Sequence, residues 1–171
     1  MAEPRPRGGA KARRDVRAID VWRPAERPRF EGALLLDTHV WVWLLEGDSK
    51  RLATATIALL RHSAATGHLM VSDISVWEVA NKSAKGKLVL SLDPVIWLDK
   101  AASAPGIYNL PLDRRSLIQS VLLPGDPPGD PADRMLIATA QLTPSSLITC
   151  DEDIISYARV RGGLSVCDAR K

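Results

Sequence analysis

From residue 33 onward, short apolar runs alternate with longer segments whose apolar positions recur at helical spacing. Ala33-Leu34-Leu35-Leu36 reads as a buried strand that runs straight into an acid, Asp37. The segment from His39 to Gly47 reads as a short apolar helix closed by its glycine. Arg51–Thr66 has helical spacing and stops at Gly67; His68–Ser72 is a second short strand. Ser75–Lys85 and Pro94–Ala104 are helical, and each stops at a Gly or a Pro-Gly pair. Tyr108–Leu112 reads as a third strand and Arg114–Leu122 as a helix. The loop Pro124-Gly125-Asp126-Pro127-Pro128-Gly129-Asp130 is turn chemistry throughout. Asp130 then stands at an N-cap with Pro131 at the first helical position, opening an almost wholly apolar helix to Leu142. Ser145–Thr149 is a buried strand, Asp151–Val160 a helix and Leu164–Asp168 a last strand.

Strands alternating with helices at these connection lengths imply α/β architecture, with a parallel sheet flanked by helices. Ligands of such sheets bind outside the carboxyl ends of the strands. The residues just after each strand are therefore the ones to examine. Asp37 follows the first strand directly, Glu78 sits one turn into the helix after the second, and Asp151 follows the Ser145–Thr149 strand by one residue. Asp133 opens the apolar helix before that strand. Its neighbours three, four and seven residues on are Leu136, Ile137 and Ala140, so its carboxylate shares a face with core residues. Carboxylates placed beside apolar runs are costly unless something compensates them, and four that converged would call for a cation. Mg²⁺, which takes oxygen ligands and keeps several waters, meets that need and leaves room for a phosphodiester.

Taken singly, each acid has an ordinary explanation. Asp130 is a good N-cap; Ser75 and Glu78 match a capping box, as do Thr149 and Glu152; Asp133 and Asp151 suit the positive end of a helix dipole. Asp37, wedged between two apolar runs, is the hardest to explain this way. It is the placement of all four near one sheet edge that favours a common site. Asp48, Asp93, Asp99, Asp113 and Asp126 lie in polar turns or on solvated faces.

Composition narrows the class further. A chain of 171 residues with 46% hydrophobic content forms one domain with an ample core. The longest apolar runs fall far short of the ~20 residues a spanning helix needs, and no secretory signal is visible, so a cytoplasmic protein is expected. Cys150 and Cys167 form no metal-ligand spacing and read as small buried hydrophobes. The net charge of +3 is unevenly spread: residues 1–32 hold nine Lys/Arg against five Asp/Glu, the remainder fourteen against fifteen. The organisation expected is thus a basic, Pro- and Gly-rich, disordered extension over 1–32 and a nearly neutral folded domain over 33–171.

Four blocks carry a family resemblance: LLLDTHVWVWLL, VSDISVWEVANKSAKGKL, GDPADRMLIATA and LITCDEDI. In this order and at these spacings they resemble the signature blocks of PIN domains of the VapC toxin type, over about residues 33–168. The resemblance implies a three-layer α/β/α fold, an endoribonuclease that uses Mg²⁺ or Mn²⁺, a VapB-like antitoxin partner and a homodimer. It places the four acids at Asp37, Glu78, Asp133 and Asp151, with Asp153 as a substitute for the last and Asp130 contributing through water. Thr38 would lend a hydroxyl near the metal or serve the strand-end turn; His39 is structural. Arg134 meets substrate phosphate, an antitoxin carboxylate or a surface acid. Trp41, Trp43 and Trp77 are divided between the core and an antitoxin groove, with at least two in the core, and Trp97 lies on a helix able to face outward.

Other readings fit less well. A receiver-type signalling domain would need an acidic pair after the first strand and a late strand leading to Lys; here Asp37 stands alone and the late strand leads to Asp151. A haloacid-dehalogenase-like phosphatase would need a second Asp at position 39, where His39 stands. A PIN fold that only binds RNA or a partner would not need all four acids.

Overall fold

The computed structural model describes residues 32–171; the extension expected over residues 1–32 therefore lies almost wholly outside the described residues. Five strands form one sheet: β1 (Ala33–Leu36), β2 (Leu69–Ser72), β3 (Ile107–Leu110), β4 (Ser145–Thr149) and β5 (Ser165–Asp168). Their order across the sheet is β3-β2-β1-β4-β5, and every adjacent pair is parallel. Seven α-helices connect them: α1 (Thr38–Glu46), α2 (Thr54–Ala65), α3 (Asp73–Ala84), α4 (Pro94–Ala102), α5 (Arg114–Val121), α6 (Pro131–Leu142) and α7 (Glu152–Arg161).

The alternation of side chains along a strand divides the core into two. Leu34 and Leu36 pack with Val40 and Trp41 of α1, Leu60 of α2 and Trp97 of α4 on one face. Ala33 and Leu35 pack with Leu136, Ile137 and Ala140 of α6 and with Ile154 and Tyr157 of α7 on the other. Helix α3 serves both sides, sending Ile74 to the second cluster and Val79 to the first. The result is the three-layer α/β/α arrangement expected from the sequence. The central strands β1 and β2 are buried along their whole length because both faces are covered, whereas the edge strands β3 and β5 are partly exposed.

Several local expectations are corrected. Helix α2 begins at Thr54, three residues later than its spacing suggests, because Ser49–Arg51 forms a separate 3-10 turn. Helix α3 begins two residues early, with Ser72 as its cap and the Ser72 hydroxyl accepting from the Ile74 amide. Trp97 faces inward: it meets Trp41 edge-on at 5.2 Å, and its indole donates to Glu46 Oε1. Trp41 is fully buried, as expected of the core tryptophans, whereas Trp77 is exposed. Among the described residues no helix is long and apolar enough to cross a membrane.

The chain runs from β1 outward to β3 and then returns to place β4 on the other side of β1. The topological switch point of the sheet therefore lies between β1 and β4, and the crevice it opens is at their carboxyl ends.

Candidate metal centre

Asp37 and Asp151 flank that crevice, one after β1 and the other after β4. Asp37 occupies the N-cap position of α1 but makes no side-chain capping bond. Its carboxylate, only 3% exposed, instead accepts a hydrogen bond at Oδ2 from the Thr149 hydroxyl at 2.5 Å. Burial pushes its pKa up; Thr149 and His39 act against the shift, and Glu78 and Asp151 reinforce it.

Glu78 is nearly buried. The capping box predicted for Ser75 and Glu78 does not form, because α3 has already begun at Asp73. Glu78 is instead held from both ends: the Thr38 hydroxyl donates to Oε2 at 2.6 Å, and Lys82 Nζ reaches Oε1 at 2.5 Å, one turn along α3. Thr38 also lies 3.0 Å from the Ser75 hydroxyl. Lys82 Nζ lies 3.2 Å from Nε2 of His39, whose ring is exposed and tilted against Trp43.

Asp133, in the first turn of α6, is half-buried, and among the described residues its carboxylate makes no hydrogen bond or ion pair. Its pKa is pushed up to about 7, first by burial and then by the charges of Asp130, Asp151, Asp37 and Glu78, in that order. The charges of Asp37, Glu78 and Asp151 thus all act on this one side chain in the same direction. Asp151 caps α7, accepting from the amides of Asp153 and Ile154. Both bonds fall on Oδ1, which leaves Oδ2 without a hydrogen bond among the described residues. Asp130 caps α6 through the Ala132 amide, a role worth about 1 kcal/mol, and is otherwise exposed. Asp153 is exposed and lines a neighbouring cleft.

Among the described residues no three His, Cys, Asp or Glu side chains close around a single point. Glu78 is paired instead with Lys82. The donor set is all oxygen, with Asp133 unpartnered and Asp37 and Asp151 each bonded through one oxygen only. It therefore fits a hard divalent cation. Burial raises the pKa of the Cys150 thiol to about 11, so in the metal-free chain it stays protonated.

Three participants are absent from the sequence reading. Thr149 was assigned to a capping box with Glu152; its hydroxyl instead donates to Asp37 and accepts from the Asp151 amide at 2.9 Å. Leu36 pairs with Ile148, so the next position in register sets Thr149 beside Asp37, a relation that only the strand order reveals. Lys82 was detectable, since it stands four residues after Glu78 on a helix. At the neighbouring edge, Arg170 bridges Asp168 and Glu152 and holds the Asp168 carboxyl well below the usual range.

A parallel α/β/α domain with buried carboxylates gathered at the switch point of its sheet is the class this structure defines. Within it, the chain belongs to the PIN-domain family, whose model matches residues 34–160. It is 30% identical to Ribonuclease VapC22 of Mycobacterium tuberculosis over 128 residues, 75% of this chain and 94% of that protein. Its fold is shared with VapBC2 from Rickettsia felis, solved bound to a DNA fragment from their promoter, with a TM-score of 0.57 at 16% identity over 79% of this chain and 97% of that one. It is shared as well with FitAcB from Neisseria gonorrhoeae, with a TM-score of 0.54 at 18% identity over 80% and 97%.

Proposed function

We propose that this protein is a divalent-metal-dependent endoribonuclease, the toxin of a type II toxin–antitoxin pair. The observation that carries the reading is Asp133: a half-buried carboxylate with no partner among the described residues, its pKa raised to about 7 first by burial and then by the charges of four other acids. Family membership and the VapC relative support RNA as substrate. Structural neighbours solved as toxin–antitoxin complexes support a VapB-like antitoxin. The toxin would act as a homodimer, and residues 33–171 would form its single PIN domain, preceded by the basic segment 1–32.

Asp37 and Asp133 would hold Mg²⁺, or Mn²⁺ in its place, with Glu78 and Asp151 binding it directly or through water. When bound, the metal supplies a water of lowered pKa and offsets charge on the attacked phosphate. The rest belongs to the chain. Thr149 fixes one oxygen of Asp37 and so aims the other at the crevice. Thr38 does the same for Glu78. Lys82, paired with Glu78 at 2.5 Å and 3.2 Å from His39, neutralises that acid and would offer a positive group to substrate phosphate. The α6 and α7 N-termini carry partial positive charge toward the same edge.

End-labelled tRNA and rRNA fragments incubated with antitoxin-free protein in Mg²⁺, Mn²⁺ or EDTA test the proposal. Discrete metal-dependent products, lost in Asp37→Asn, are expected. Cleavage that persists in EDTA or in Asp37→Asn would overturn it.

A further inference from the structure

A second cleft opens where the acids end. It measures about 590 Å³, within the range of small-molecule and cofactor pockets, and lies between the loop 126–129 and the exposed side of α7. It continues the site along the chain: Arg134 follows Asp133 on α6, Asp153 follows Asp151 by two residues at the start of α7, and both line the cleft. Arg161, at the last turn of α7, closes the far end. Its guanidinium lies over Gly125, whose φ of +80° favours glycine; a Cβ there would displace this flexible side-chain end. Arg134 is anchored by its Nε, which donates to the Pro128 carbonyl. Among the described residues neither guanidinium forms an ion pair with a carboxylate, although Asp126 and Asp153 line the same cleft.

This mixture of signs selects the occupant. A free anion gains from the two guanidiniums and loses against the two carboxylates. A nucleotide presents both signs at once: a phosphate for the arginines and, on adenine, cytosine or guanine, an exocyclic amino group for a carboxylate to accept from. Resting on the ribonuclease reading above, we infer that the cleft receives the nucleotide flanking the cleaved bond. Its phosphate lies on Arg161 and Arg134, and its base edge faces Asp153. The cleft thereby fixes the register of the RNA and biases the base accepted at that position.

The test uses the full chain. In an Asp37→Asn background, which leaves RNA uncut, binding of a fluorescent mixed-sequence oligoribonucleotide is followed by anisotropy across a salt series. Arg161→Gln should weaken binding about fivefold and lower the salt slope by about one, the signature of one lost phosphate contact, while Arg161→Lys should keep the slope. With Asp37 restored, the oligoribonucleotide pool is cleaved and the products are sequenced. Asp153→Asn should change the base distribution at one position beside the cut and leave the others as they were. A uniform fall in all cuts with the distribution unchanged would overturn the assignment of Asp153. Unchanged affinity and slope in Arg161→Gln, with a wild type that binds and cuts, would overturn the cleft alone. A wild type that neither binds nor cuts RNA would overturn the ribonuclease reading and this inference together.

Discussion

Thr149 donates its hydroxyl proton to Asp37 at 2.5 Å and, through the same oxygen, accepts the backbone N–H of Asp151. One hydroxyl at the end of β4 thus joins the acid after β1 to the turn that carries the acid after β4. Thr149→Val keeps the shape and removes both bonds, leaving a buried carboxylate oxygen without its donor. The expected cost is about 1–3 kcal/mol of stability, and metal affinity should fall about 10–100-fold, as for other residues that orient ligands. Thr149→Ser should recover most of both. Chemical denaturation and Mn²⁺ titration of the three proteins measure this; an affinity for Mn²⁺ equal to wild type in the Val variant would remove Thr149 from the site.

The raised acids set a pH dependence whose sign is fixed. Asp133 titrates near 7 in the folded chain, against an ordinary value of 3.8, so between those values the folded state holds more protons than the unfolded one. Stability of the metal-free protein must then fall as pH rises through that window, and the loss is complete above about 7. Asp37 shifts in the same direction. The Tm in EDTA should therefore be higher near pH 5 than near pH 8, and added Mn²⁺ should raise it far more at the higher pH. A Tm in EDTA that climbs steadily from pH 5 to 8 would count against the cluster.

Asp133→Asn removes the charge that the other acids oppose. In EDTA at pH 8 its Tm should exceed that of the wild type by a few degrees, about what relief of 1 kcal/mol gives a domain of this size. RNA cleavage should nonetheless fall at least about 100-fold, as expected when a group that acts on the transition state is lost. A variant both less stable and still active would contradict the assignment.

Lys82→Met leaves Glu78 buried without its counterion. Loss of about 1–3 kcal/mol is expected in EDTA, at the low end because the ammonium is 27% exposed. Divalent metal should restore more stability to this variant than to the wild type, since the cation then meets the only compensation Glu78 has left besides Thr38. Equal stabilisation of both proteins by Mn²⁺ would show that Glu78 does not turn toward the metal.

The fold was legible because the central strand β1 is covered on both faces and reads as an unbroken apolar run, while the helices read as periodic ones. Helix α6 was legible to its ends, since Asp130 and Pro131 mark its start without ambiguity. The start of α3 was not: Ser75 and Glu78 imitate a capping box, and only the Ser72 cap in the folded chain reveals that the helix has already begun. Trp97 looked free to face outward because the sequence does not show that Glu46 and Trp41 converge on it from another helix. Asp37 and Asp151 stand out in the sequence because each follows a strand. Lys82 is also visible there, four residues after Glu78 on one helix, whereas the bond from Thr149 to Asp37 depends on the pairing of β4 with β1.

The strand order across the sheet bears on how such a chain can be made safely. Its centre, β1, is synthesised first, but β4, the neighbour that completes the crevice, comes more than a hundred residues later. Until Thr149 and Asp151 have emerged and β4 has docked, Asp37 has neither its donor nor its opposing acid. A nascent or truncated chain ending before that point lacks both contacts to Asp37, and is expected to show no RNA cleavage until β4 has joined the sheet.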